Sequence, residues 1–459
     1  KIKNHKMKNS ISEKNKQSSL CDFCVYFEDK KEVESEISEV DKFVGLKYIN
    51  KKLEIHFPVG FERPEKYFNL TEKSEIEKQT KKDVACLIGI LSSFGKKEKM
   101  LKLSDLFSEN EEVDFPIHAY IYIIKDFFSN GIFKEKEKIY KKSSNGKTSW
   151  TRTIKQIKPQ FINENPIYLE FITQHTNHNK DELISQIHKF CVYESFSKLG
   201  FLFGNYQPEK SNLKFNKNLF SSIIKLRSSK TFNQDTLLLF KNMLDVINYL
   251  DSSNEKQDFI YGTNSFHHIF EQMVNSLFGE SDKEKFYPKV YWKLNNSDKT
   301  FTFANQEKRN SLRPDTIMIT NRGQDNQKVF VLDSKYYRYG ETKNPNHLPD
   351  SSSVVKQIAY AQYIENPEKN TIPEDVKKYT SNNQIYNAFI LPGKKDDDFE
   401  NVGFVSADYV FSQSAMQNNK TPEKPYYKIH GILLDIRELM IRHAKSNQKI
   451  AKLENAIMG

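Results

Sequence analysis

The chain has 459 residues and a formal charge of +10, too long for one ordinary core at ~150 residues per domain. Its 34 Phe and 23 Tyr supply enough bulky surface to exclude wholesale disorder, four Cys are too few for a disulfide scaffold, and no apolar run reaches the ~18 residues of a membrane span. The basic balance makes nucleic acid or an anionic surface the first partners to consider, although residues 1–20 alone hold six Lys against one acid.

Residues 1–40, rich in Lys, Asn, Ser and Glu, read as a basic, mobile or loosely packed arm. No apolar stretch follows the basic start, so no secretory signal is expected and the cytoplasm is the expected location. Cys21 and Cys24 form a CxxC with no second ligand pair at matching spacing, so they read as buried or idle thiols, with a zinc site as the lesser alternative.

Residues 41–250 read as a mixed α/β region. Phe43–Leu46 and Leu53–Phe57 are expected as short strands around a turn, followed by a helix over 71–94. A second helix opens at Pro116, a favoured first helical position, runs to Phe128 and stops at Gly131. Ile132–Tyr140 and Trp150–Ile157 are expected to form a hairpin about Asn145-Gly146, with Ile167–Ile172 a third strand. Helices are expected over about 181–199 and 234–250, and the polar run Asp251–Glu255 reads as a linker.

Beyond it, residues 255–459 give a helix, strands at Tyr287–Leu294, Asp315–Ile319 and Val329–Leu332, a helix, strands at Ile385–Leu391, Gly403–Ser406 and Tyr427–Leu434, and a last helix. That order predicts an α/β fold, a mixed central sheet flanked by helices.

Three stretches there suggest chemistry. Arg313-Pro314-Asp315 enters one apolar strand, and the next strand ends in Asp333-Ser334-Lys335. An antiparallel hairpin brings the start of the first beside the end of the second. Residues two apart on a strand share a face, so Asp333 and Lys335 point the same way. Two carboxylates about 4 Å apart repel by roughly 4 kcal/mol at an effective dielectric near 20. A divalent cation turns that repulsion into a binding site, and hard oxygen ligands suit Mg²⁺. Against this stands the bland alternative, in which both Asp cap strand ends and Lys335 is solvated.

The arrangement resembles the PD-(D/E)xK nuclease superfamily, and within it McrC and the LlaJI type of restriction endonuclease. Pro314 and Asp315 match the first half of the motif, and Asp333, Ser334 and Lys335 the second. The resemblance implies a C-terminal PD-(D/E)xK fold with Asp315, Asp333 and the Ser334 backbone carbonyl as metal ligands and Lys335 as a catalytic residue. Glu271, on the helix before the first core strand, is the matching acidic residue, catalytic and on the metal. A rival makes His268 and Glu271, three apart on that helix, ligands themselves. On the helix after Lys335, the family carries a Gln and a Tyr four apart. Here Gln357 is followed by Ala361, with Tyr360 and Tyr363 offset, so Gln357 is the candidate and the tyrosines are weaker.

Phe389-Ile390-Leu391-Pro392 and Ile432-Leu433-Leu434-Asp435 fall in the order the resemblance expects. Phe57-Pro58-Val59-Gly60 and Gly146–Ile154 are looser matches in the first half. The implied activity is Mg²⁺-dependent endonucleolytic cleavage of double-stranded DNA, with Mn²⁺ as a substitute, in a type II-like restriction system. The implied partner is a McrB-like AAA+ GTPase bound through residues 41–250, with Lys147 and Arg152 near the Gly146 turn as contact candidates. Gly146-Lys147-Thr148 mimics the end of a P-loop, but Lys141 stands where the first Gly should be, and the flanks read as strands. No nucleotide binding by this chain itself, and no membrane association, is expected. Two alternatives stay open: a RecB-like repair or recombination nuclease, and a DNA-binding adaptor with a vestigial site.

Overall fold

The computed structural model describes residues 22–26, 43–49, 52–61, 73–94, 115–162, 165–179, 183–204, 206–252, 258–290, 292–293, 300–301, 312–366, 372–380, 384–393 and 399–459. Most of the N-terminal arm, with Cys21, lies outside them. Within that arm Asp22–Tyr26 forms strand β1.

The expected pair of short strands is present as β2 (Val44–Ile49) and β3 (Lys52–His56), antiparallel to one another. β1 pairs with β3 in parallel. Helices Lys73–Phe94 and Ile117–Asn130 follow. Gly131, at φ 72°, ends the second, its amide donating to the Phe127 carbonyl over 2.8 Å.

The next stretch departs from expectation. β4 (Glu135–Lys142) and β5 (Lys147–Thr148) do not pair with each other. After the two-stranded β6 (Gln160–Ile162) and β7 (Asn165–Ile167), strand β8 (Ile172–Asn179) lies between them, antiparallel to both. Trp150–Gln156 is a seven-residue helix, not the second hairpin strand. Ile172 accounts for the difference. Its carbonyl accepts from the Ser149 amide at 2.8 Å, and its amide donates to Thr153 Oγ1 at 3.0 Å. Both backbone groups of Ile172 are thereby satisfied by the helix entrance. A helix following Thr148 also removes the flank argument against a P-loop, leaving Lys141 as the sequence ground.

Helices Leu183–Leu199 and Gln234–Ser252 match expectation. Lys217–Ser228 is a further helix, capped by Asn216, whose side chain accepts from the Leu219 amide at 3.0 Å. β9 (Phe259–Thr263), on the far side of the polar run at 251–255, pairs with β2 and completes the sheet β1-β3-β2-β9.

Helix Phe266–Phe278 leads into the C-terminal half, where β10 (Trp292–Lys293) and β11 (Thr300–Phe301) form a small pair. The main sheet comprises β12 (Thr316–Thr320), β13 (Lys328–Ser334), β14 (Ile385–Gly393), β15 (Phe399–Val405) and β16 (Ile429–Asp435), in the order β12-β13-β14-β16-β15. β12 and β15 run antiparallel to their neighbours, and the other pairings are parallel, so the sheet is mixed.

Alternate residues pack on opposite faces, as the pleat requires. Met318, Phe330 and Leu332 join Phe270 and Met273 of helix Phe266–Phe278. Ile317, Val329 and Val331 meet Tyr360 and Ala361 of helix Ser351–Glu365. The first of these cores is continuous with the N-terminal sheet and helices, from Val44 through Val192 to Phe330 and Leu453. A buried ion pair, Arg437 Nη2 to Asp83 Oδ1 at 2.9 Å, also joins the halves. Among the described residues no helix is long and apolar enough to cross a membrane.

Candidate active site

The antiparallel register pairs Thr316 with Leu332, and one step further brings Asp315 beside Asp333 at the end of the β12–β13 hairpin. Asp315 Oδ2 accepts the Ser334 amide at 2.8 Å. Lys335 Nζ reaches Asp333 Oδ2 at 2.8 Å. The backbone beyond them stays tied to the sheet, since the Lys335 amide donates to the Ile390 carbonyl at 2.8 Å. Apolar strands, all five residues of β12 buried, thus place three charged groups at one sheet end.

The electrostatics follow from the crowding. Burial, then the facing Asp333 and Glu271 carboxylates, push the Asp315 carboxyl up to about 8. Burial opposes the Lys335 charge, but the neighbouring Asp333 carboxylate outweighs it and holds the ammonium above its usual value. Burial also lifts the half-buried Glu271 carboxyl above the usual range, with Asp333 reinforcing the shift and His268 opposing it. Glu271 Oε2 lies 3.6 Å from His268 Nδ1. Tyr360, whose hydroxyl donates to the Arg313 carbonyl at 3.4 Å, is raised to about 12 by burial and by the two Asp charges.

The chemistry of the donors suits a hard divalent cation: two carboxylates side by side at neighbouring strand ends, one of them raised to about 8, next to a strand-end carbonyl. Among the described residues, no three His, Cys, Asp or Glu side chains converge closely enough to hold a metal by themselves. Glu271 is therefore in electrostatic reach of the two Asp without completing a ligand cluster with them.

Gln357 is fully buried on helix Ser351–Glu365, and among the described residues neither side-chain amide atom has a partner. Its backbone carbonyl accepts from Asn387 Nδ2, and Asn387 pairs with Val331, two residues before Asp333. Tyr360 lines the same packed face, while Tyr363 is only partly buried beside it. Lys147 and Arg152 lie far along the chain on the small β4-β8-β5 sheet and the helix after it. Lys147 is exposed, and the Arg152 guanidinium covers the Tyr140 ring at 3.9 Å.

One residue was not anticipated. Lys283, just past the Glu271 helix, donates to the Asp315 carbonyl at 2.7 Å and faces the Asp315 and Glu271 carboxylates. Burial lowers its pKa and those carboxylates oppose the shift. In sequence it sits in the alternating run Asp282-Lys283-Glu284-Lys285, which reads as solvated surface.

A mixed α/β chain with two Asp and a Lys gathered at one end of a mixed sheet is what fold and site define. The LlaJI restriction endonuclease family model matches residues 43–445, and the chain belongs to that family. It is 25% identical over 308 residues to the type II restriction enzyme BsuMI component YdjA of Bacillus subtilis (strain 168), covering 63% of this chain. The chain spans 64% of that relative's length. A looser overlap, with a TM-score of 0.32 and 12% identity over 91% of this chain and 83% of the other, is with an assembly of Thermococcus gammatolerans McrB AAA+ hexamers with bound McrC. Restriction endonuclease FokI overlaps with a TM-score of 0.16 at 12% identity, over 87% of this chain and 76% of that one.

Proposed function

We propose that the chain is the DNA-cleaving subunit of a restriction system, a PD-(D/E)xK endonuclease with Asp315, Asp333 and Lys335 as its catalytic centre. The observation that carries the reading is the juxtaposition of Asp315, bonded to the Ser334 amide, with Asp333, bonded to Lys335, at adjacent strand ends. Asp315, Asp333 and the Ser334 carbonyl would hold Mg²⁺, or Mn²⁺ in its place, with Glu271 supporting from the neighbouring helix. The chemistry supplied by the bound ion is polarisation of the scissile phosphate and acidification of the attacking water.

The protein's own groups do the rest. Lys335, fixed on Asp333, orients the attacking water and offsets the negative charge that grows on the phosphate. Asp315, tied to the Ser334 amide, keeps its carboxylate aligned with that of Asp333. The unpartnered Gln357 amide provides hydrogen-bonding capacity beside the same strand.

The partner reading places a McrB-like AAA+ GTPase against the N-terminal region, residues 41–250. Trp150, Ile154, Phe161 and Leu169, from the same stretch of chain as Lys147 and Arg152, are each more than half exposed. Exposed large apolar side chains interspersed with cations have the composition of a docking surface.

Purified chain, with its AAA+ partner, GTP and Mg²⁺, is expected to linearise plasmid DNA. Asp333→Ala is expected to abolish cleavage while circular dichroism and partner pull-down stay as in the wild type. Wild-type cleavage that persists undiminished in Asp333→Ala would remove this centre from the chemistry.

A further inference from the structure

Beyond Lys335 the chain leaves the sheet, and a four-carbon side chain on a free backbone would be poorly aimed. The next residue prevents this. The Tyr336 ring packs against Phe266 and Phe270, with centroids at 5.6 and 5.8 Å, both buried in the helix that carries Glu271. The Tyr336 hydroxyl accepts the Val59 amide at 2.7 Å, more than 270 residues away in sequence. The neighbouring Gly60 amide donates to Glu341 Oε1 at 2.7 Å, and Arg338 Nε holds the other Glu341 oxygen at 3.2 Å.

The backbones fit closely at the same place. Gly60 has φ 75°, and a Cβ there would sit 2.9 Å from the Gly393 nitrogen. A Cβ on Gly340 would sit 2.2 Å from the Pro392 carbonyl oxygen. The Pro58-Val59-Gly60 turn leaving the N-terminal sheet is thus seated on the end of β14 and on the segment just past Lys335.

We propose that Tyr336 is a positioning residue for the cleavage reaction, joining the Glu271 helix and the Val59–Gly60 turn of the N-terminal sheet to the backbone that carries Lys335, with Glu341 closing the same latch. The inference rests on the reading of Asp315, Asp333 and Lys335 as the catalytic centre. It explains why the turn Phe57–Gly60 is present in a region otherwise remote from chemistry: a movement of the N-terminal sheet is carried to Lys335 through two hydrogen bonds and one ring.

The test is steady-state cleavage of plasmid DNA by the full chain with its AAA+ partner, combined with amide hydrogen exchange. Tyr336→Phe keeps the ring and removes only the hydroxyl. Its kcat is expected to fall about tenfold with KM within about twofold, the pattern of a misaimed group and not of lost DNA binding. Exchange at Val59 and Gly60 is expected to accelerate together with that of 336–341. Glu341→Ala is expected to give the same pattern. The double variant is expected to lose less than the product of the two single losses, because both bonds hold one turn. A kcat within twofold of wild type in both single variants overturns the proposal, as does a lowered kcat with unchanged exchange at Val59 and Gly60. Asp333→Ala run alongside separates the two readings. If it cuts like wild type, the catalytic assignment fails; if it is inactive while Tyr336→Phe is fully active, only the latch fails.

Discussion

The end of the β12–β13 hairpin and the small β4-β8-β5 sheet both present charged side chains on short strands, and they behave as opposites. At the hairpin, Asp333 and Lys335 approach to 2.8 Å with side chains 14% and 21% exposed. At the small sheet, Lys142 of β4 and Glu170, in the bend before β8, approach nearly as closely, 2.9 Å, with side chains about 60% exposed. Nearly equal distances carry unequal energies, because water screens the second pair and the core excludes it from the first. Burial of the flanking strands also fixes register at the hairpin, since a one-residue slip would turn Ile317, Val329 and Val331 out of their core. On the small sheet only Ile172 and Thr173 of β8 are buried among the residues whose burial is described, so far fewer side chains hold its register.

The largest test of this contrast is Lys335→Ala against Lys147→Ala. Removing Lys335 is expected to cost about 10²–10³ in kcat, as loss of a charge-stabilising group in a buried site does. Lys147→Ala is expected to leave the cleavage step itself intact and to weaken partner binding, read by titration of the AAA+ protein. A loss of intrinsic cleavage in Lys147→Ala would break the division of labour between the two regions.

Arg437→Met next tests the same physics away from the site. It takes the guanidinium away from the buried Asp83 carboxylate and leaves the Gln79 side-chain amide as a neutral donor at 3.0 Å, so a loss of about 3 kcal/mol in urea unfolding is expected. Because the core runs unbroken from Val44 to Leu453, that unfolding is expected as one transition shared by both halves.

A pH series sharpens the electrostatic half of the comparison. The Asp315 carboxyl is raised from 3.8 to about 8 in the folded protein, so the folded state binds more protons than the unfolded state across that interval. Its stabilising contribution is complete below about pH 4 and is lost as pH rises through about 8. In EDTA the melting temperature is therefore expected to decline over this window, and Asp333→Asn is expected to flatten the decline. Added Mg²⁺ is expected to raise the melting temperature more at pH 8.5 than at pH 5, because proton and cation compete for the same carboxylates. The smallest effect belongs to the exposed pair: Lys142→Ala is expected to change stability by less than about 0.5 kcal/mol.

The same division explains what could be read in advance. β12, β13, β14 and β16 are runs of Ile, Val, Leu and Phe that only a buried sheet can use, and their order names a mixed sheet directly. Trp150-Thr151-Arg152-Thr153-Ile154 alternates and is rich in strand formers, so it reads as a strand. It folds as a helix because Ser149 and Thr153 satisfy the backbone of Ile172. Local preference lost there to a partner eighteen or more residues away.

The sequence by itself determined the pieces of the candidate centre: a Pro-Asp entering one apolar strand, Asp-Ser-Lys leaving the next, and a hairpin between them. Hydrophobic strands and a single turn are local facts, and their geometry follows from chain connectivity. Only the tertiary structure decided that Lys283 holds the Asp315 turn, that Val59 and Gly60 reach Tyr336 and Glu341, and that β9 joins the N-terminal sheet. Those contacts join segments dozens to hundreds of residues apart. Their partners are backbone amides and carbonyls, which every residue carries and no composition can single out.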